Sequence, residues 1–170
     1  MLHAWGDDPL GVPVLAGQRE KYLIGELAGF VRGARPGSQM HGPIMRETLQ
    51  APDVNWAQAF RDLAAYLSAA PRNPRPDTGP GNGLTTAERN YRQGCLSCHA
   101  IDGAGSDEHS VPAIGGQGYG YLRTQLREFA AARRRHPTLA NSPVALSSDE
   151  QLGVADYVSR LGYLTAAVKH

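Results

Sequence analysis

The chain has 170 residues, of which 41% are hydrophobic and 19% charged, with a formal net charge of +1. That length holds one medium domain or two small ones, and so even a charge balance creates no global field for nucleic acid or an anionic membrane surface. No apolar run reaches the length of a membrane-spanning helix, and residues 1–10, which include His3, Asp7 and Asp8, contain no apolar stretch of the kind a signal peptide carries.

An internal repeat is visible first. Val12-Pro13-Val14-Leu15-Ala16-Gly17-Gln18 matches Val111-Pro112-Ala113-Ile114-Gly115-Gly116-Gln117, and the match runs on through Tyr22/Tyr121, Leu23/Leu122, Leu27/Leu126, Phe30/Phe129 and Arg35/Arg134 at a constant offset of 99. Ala64-Ala65-Tyr66-Leu67-Ser68 parallels Ala155-Asp156-Tyr157-Val158-Ser159 at an offset of 91, so the intervening loop is shorter in the second half. Two related domains are expected, over residues 1–70 and 84–170. Residues 71–83 join them and carry Pro71, Pro74, Pro76 and Pro80 with Gly79, Gly81 and Gly83, the composition of a stiff linker.

In chain order, a helix is expected over 18–31, where Tyr22, Leu23, Leu27 and Phe30 recur with a 3.6-residue period. A second over 56–67 places Phe60, Leu63, Ala64 and Leu67 on one face. Thr85 or Thr86 caps a third, which passes Tyr91 and runs into Gly94 and Cys95. A fourth over 118–132 repeats the first with Tyr121, Leu122, Leu126 and Phe129. The last, over 149–161, has Leu152, Ala155, Val158 and Leu161 on one stripe, Ser147 or Ser148 as its cap and Gly162 beyond its end. No useful alternating run suggests a strand. The fold class is all-α.

Cys95-Leu96-Ser97-Cys98-His99 reads C-x-x-C-H, the pattern of covalent haem attachment. Two thiols two residues apart can add to the two vinyl groups of one porphyrin, and the next residue brings an imidazole under the ring to bind iron. These are the only two cysteines. A redox dithiol would want a strand upstream, where a helix is expected instead. A zinc site would want a fourth donor, for which His109 is the candidate.

Around this motif stand a short helix bearing Tyr91, a Gly-rich loop, Pro112-Ala113-Ile114-Gly115-Gly116-Gln117, a helix opening at Tyr121-Leu122 and a last helix bearing Tyr157. This half resembles a class I cytochrome c domain, and the tandem arrangement resembles the two-domain cytochrome c4 family. The resemblance implies one haem c, tied by thioethers to Cys95 and Cys98 with His99 as proximal iron ligand. It places Pro112 in support of that histidine, and Tyr91 and Tyr157 near the crossing of the first and last helices. Leu96, Ile101, Ile114, Leu122, Leu126, Leu139 and Leu146 are the apolar residues expected around the haem. The implied function is that of a periplasmic electron carrier, not an enzyme. It would pass single electrons between redox proteins such as an oxidase, a reductase or a dehydrogenase, or serve as a subunit of a larger complex. Haem of this kind is attached after export. The export signal is therefore expected upstream of Met1 or on a companion protein.

The chain departs from that pattern twice. The first half has no C-x-x-C-H. His3 stands about where a proximal ligand is expected, but residue 2 is Leu; Met45 falls at the distal methionine position. Trp5, Trp56, Met40 and Met45 are the available fillers of a haem-less first domain. In the second half the family's distal methionine position falls on Leu139, which cannot bind iron. His136, Asn141 and His109 are the nearby candidates, and His136 precedes Tyr157 by the same 21 residues that separate Met45 from Tyr66. Beside Arg133, Arg134 and Arg135, His136 also has the setting of a solvated helix end; the arginines themselves could alternatively dock an acidic partner or contact haem propionates. If the distal position is open, the protein is a small-ligand-binding or catalytic haem protein.

Overall fold

The computed structural model describes residues 4–33, 47, 55–74, 77–136 and 146–162. Six helices have defined bounds: α1 (Glu20–Val31), α2 (Trp56–Ala69), α3 (Leu84–Gly94), α4 (Leu96–His99), α5 (Tyr119–Ala130) and α6 (Ser148–Arg160). Among the described residues the only extended pairings are two isolated bridges, Asp7 with Val12 and Ser106 with Val111. The periodicity located the long helices to within two residues, since one apolar stripe per helix is what a 3.6-residue repeat encodes. The caps were less legible. Gly83, at φ +66°, precedes α3, and Thr85 and Thr86 lie inside its first turn. Ser147 does cap α6, in a capping box with Glu150.

The larger core belongs to the second half. There α6 packs against both α3 and α5. Ala87 and Tyr91 of α3 meet Val154, Tyr157 and Val158 of α6, with Leu122 of α5 completing the cluster. At the crossing Gly153 faces Ala87, and a Cβ placed there would stand 3.5 Å from the alanine methyl, in ordinary contact. The Tyr91 and Tyr157 rings lie 5.6 Å apart at this crossing. In the first half α1 packs on α2 around Leu23, Ala64 and Leu67. Leu63 and Tyr66 are exposed there, whereas the sequence placed Leu63 on the buried stripe. Tyr157, the counterpart of Tyr66, is covered by Tyr91; among the described residues no helix stands in the place of α3 beside α2.

The repeat is expressed as a reciprocal interface. The side-chain amide of Gln18 accepts from the Ala113 N–H (2.7 Å) and donates to the Ala113 carbonyl (2.9 Å). Gln117, its partner in the repeat, does the same to Val14 at 2.9 and 2.6 Å. Both glutamines are buried. The helix N-termini are treated the same way. Neither α1 nor α5 has a cap from its own N-cap side chain. Asp8 instead accepts from the N–H groups of Gly120 and Tyr121, both at 2.7 Å, and Asp107 accepts from the Lys21 N–H at 3.1 Å. Each half thus supplies a carboxylate to the positive end of the other half's helix.

The described residues of the linker, 71–74 and 77–83, are bonded to both halves. Pro71 accepts from the Trp5 indole N–H, Arg72 donates to the Gly115 carbonyl, and Asp77 accepts from the Tyr119 N–H. Further along, Asp156 of α6, itself buried and paired with Arg160, accepts from the Gly81 N–H. A Cβ at Gly79 would fall 2.5 Å from the Asp156 carboxyl carbon, so the strap lies flat on α6 because residue 79 has no side chain.

Candidate haem site

The Cys95–His99 turn is short because α3 ends at Gly94 and the chain starts again as the four-residue α4. Cys95 caps both helices, its N–H bonded to the Tyr91 carbonyl. The turn closes on Ala100, held at φ +66° and ψ 170°, a region that is close to glycine-only. The Tyr91 hydroxyl donates to the Ala100 carbonyl at 2.5 Å and holds this conformation against its strain. Burial pushes the Tyr91 hydroxyl pKa well above its ordinary value, so it stays a donor.

Both thiols are free. Cys98 is exposed and Cys95 is half-buried, packed against the core cluster of the second half. Burial, with the neighbouring Cys98 adding to it, pushes the Cys95 thiol up to about 11. A dithiol built for redox exchange has a lowered thiol pKa, so this environment does not favour that chemistry. Zinc is not favoured either, because His109 is exposed and bonded to Ser106 instead of completing the set. For the same reason His109 is no candidate for the distal side.

His99 is buried, with 7% of its surface accessible. Its Nδ1 lies 3.1 Å from the Pro112 carbonyl, which requires the proton on Nδ1 and leaves the lone pair on Nε2. A ligand histidine is oriented in this way by a hydrogen bond on its other nitrogen. Burial lowers the His99 pKa and outweighs the Pro112 bond, so the ring is neutral at neutral pH, as metal binding needs. Two thiols at C-x-x-C spacing, followed by a buried neutral imidazole with a free Nε2, fit a covalently held haem. Cys95 and Cys98 would hold the porphyrin and His99 would bind the iron.

Of the apolar residues expected at the haem, Leu96, Ile114, Leu122, Leu126 and Leu146 belong to the core of this half, but Ile101 is 48% exposed. It follows α4 in the turn after Ala100 and faces outward. Leu139, Asn141, Met40 and Met45 lie outside the described residues, as does His3. The Ala4 carbonyl accepts from the N–H groups of Leu15 and Ala16 as the Gly103 carbonyl does from Ile114 and Gly115. Ala4 therefore takes the chain position of Gly103.

The arginine run is not a uniformly solvated helix end. Arg133 pairs with Glu128 at the surface, but the Arg134 side chain is only 13% exposed. It reaches back to α1, bonding the Tyr22 hydroxyl at 2.9 Å and Glu26 at 3.2 Å, and lies over the Phe129 ring. His136 follows and is partly buried. Its ring meets Phe129 edge-on at 5.1 Å and lies 6.2 Å from the His99 ring, centre to centre. Burial first, then His99 and Arg134, push His136 down to about 4. What the sequence did not reveal was the pair of trans-capping aspartates and the glutamine clamp. The available signal was their recurrence, Asp8/Asp107 and Gln18/Gln117, at the repeat offset of 99.

Comparison with known proteins agrees with this geometry. Residues 84–161 match the cytochrome c family model. The chain is 26% identical to cytochrome c4 of Azotobacter vinelandii over 88% of its own length and 76% of that protein's. It is 30% identical to a thiosulfate dehydrogenase electron acceptor of Thiomonas intermedia over 76% of its length, spanning 59% of that relative. Among solved structures, cytochrome c4 of Acidithiobacillus ferrooxidans superposes with a TM-score of 0.69 at 27% identity, covering 88% of this chain and 89% of that one. The fold is all-helical, with two tandem cytochrome c-like domains of which the second carries covalent haem c, and the chain belongs to the cytochrome c4-like class I cytochromes c.

Proposed function

We propose that this electron-transfer cytochrome works in the periplasm as a single-electron carrier, through one haem held by Cys95 and Cys98 with His99 as proximal ligand. The observation that carries the reading is the His99–Pro112 hydrogen bond beside two free thiols at C-x-x-C spacing. When bound, haem c supplies a ferric/ferrous couple. The chain's part is to keep that couple rigid. Pro112 fixes the imidazole tautomer, Tyr91 pins the turn after His99, and the α3–α6 crossing backs both. A centre that moves little between oxidation states transfers electrons at low reorganisation cost. The relative described as a thiosulfate dehydrogenase electron acceptor supports a dehydrogenase as the electron donor, with a terminal oxidase or reductase as the recipient. The carrier itself is not the enzyme in this reading.

Protein exported with a haem-attachment system should retain one haem per chain after acid–acetone extraction, by the pyridine haemochrome spectrum. Stopped-flow mixing with a reduced dehydrogenase should then show uptake of one electron per chain. Replacing Cys95 or Cys98 by Ala should leave a single thioether and lower the holoprotein yield. Extraction of all the haem, or two haems per chain, contradicts the proposal.

A further inference from the structure

We infer that His136 is the second axial ligand of the iron, so that the site is held by two histidines instead of a histidine and a methionine. This rests on the covalent haem at Cys95 and Cys98. All three methionines lie in the first half of the chain, at positions 1, 40 and 45, and none accompanies the C-x-x-C-H half in sequence. The imidazole that stands next to the buried proximal histidine is His136.

The spacing of the two rings is that of a metal bridge. An imidazole nitrogen binds a divalent metal at about 2 Å, and the ring centre lies about 1 Å behind the nitrogen, so two imidazoles on opposite sides of one metal have centres about 6 Å apart. The observed separation is 6.2 Å. The interplanar angle is 44°, and two imidazoles on one metal are free to turn about their metal–nitrogen bonds, so this angle is compatible with a shared metal. With Nδ1 of His99 engaged by Pro112, its Nε2 is the nitrogen left for the shared metal.

The segment that carries His136 is held in place by its own protein contacts. Past the end of α5 the chain turns at Ala132, at φ +55°, and the N–H groups of Arg133 and Arg134 both bond the Glu128 carbonyl. Arg133 pairs with the Glu128 carboxylate, Arg134 ties the segment to Tyr22 and Glu26 of α1, and Phe129 abuts the His136 ring. A ligand already ordered loses little entropy on binding. Direct ring packing also tolerates a 6 Å separation, so the deciding observation must be spectroscopic.

The test uses full-length holoprotein with covalent haem established by the pyridine haemochrome spectrum. The ferric protein should be low-spin, with near-infrared magnetic circular dichroism of a bis-imidazole haem and no sulfur-to-iron band in the far red. Carbon monoxide should bind the reduced protein slowly. His136→Ala should become high-spin, bind carbon monoxide at least tenfold faster, and return to a low-spin spectrum when imidazole is added, which also shows that the variant is folded. His136→Met should restore a six-coordinate iron, now with the sulfur band and a raised reduction potential. A ferric wild-type protein that is high-spin, that shows the sulfur band, or whose spectrum is unchanged by His136→Ala overturns the inference while leaving the electron-carrier reading intact. Absence of covalent haem overturns both.

Discussion

At the residue scale the turn after His99 stores backbone strain. Ala100 occupies a conformation that costs a non-glycine residue about 1–3 kcal/mol, and the Tyr91 hydroxyl bond and the helical N–H to Leu96 hold it there. Ala100→Gly should therefore stabilise the holoprotein by about 1 kcal/mol, read as a higher midpoint in urea unfolding followed by haem absorbance, with an unchanged visible spectrum. A variant no more stable than the parent would mean that residue 100 adopts another backbone conformation. The motif itself was legible because it is contiguous. The conformation that presents His99 was not, since nothing in the local sequence assigns an alanine to a glycine position.

At the element scale α6 opens on a complete capping box. Ser147 accepts from the Glu150 N–H while the Glu150 carboxylate accepts from the Ser147 N–H. Ser147→Ala should cost about 1 kcal/mol in thermal or urea unfolding, the ordinary value of a lost N-cap. The same box sets an acid sensitivity. The backbone bond from Ser147, then its side chain, hold the Glu150 carboxyl below its ordinary value of 4.5. A carboxyl depressed in the folded state contributes stability that is complete above the unfolded value and is lost as pH falls through the folded one. Glu150→Gln should accordingly flatten the fall in melting temperature as the pH drops below 4.5, relative to the parent chain. An identical acid limb in both proteins would show that the box does not form in solution.

At the scale of the molecule, Gln18 and Gln117 make the two halves one folding unit. Each inserts a buried amide into the other half and satisfies both polar groups of one residue there. Removing either side chain strands those backbone groups, at a cost of about 1–3 kcal/mol. Because both clamps hold one interface, Gln18→Ala and Gln117→Ala together should cost less than the sum of the two. The tryptophans, Trp5 and Trp56, sit in the first half and the C-x-x-C-H motif in the second, so fluorescence and haem absorbance report the halves separately. In the parent chain the two urea transitions should coincide; in the double variant the fluorescence transition should move to lower urea. Strict additivity with coincident transitions would show that the clamps do not couple the halves.

Read alone, the sequence determined whatever depends on near neighbours. Covalent spacing made the haem motif unmistakable, apolar periodicity placed α1, α2, α5 and α6, and the offset of 99 declared two related halves. Those signals survive in one dimension because a thioether pair, a helix turn and a repeat are each defined over a few residues or by self-similarity. The tertiary structure decided the rest. It brought Asp8 to the start of α5 and Asp107 to the start of α1, buried Arg134 against α1, laid Gly79 and Gly81 on α6, and set His136 beside His99. In each case the partner lies far along the chain, and the hydrogen bond or ring contact exists only once two packed halves fix the distance between them. Arg134 shows the consequence most directly: in sequence it belongs to a polar helix end, and only its bonds to Tyr22 and Glu26 of α1 make it a buried cation, whereas His136, already a candidate iron ligand by its spacing from Tyr157, gains from the fold its place beside His99.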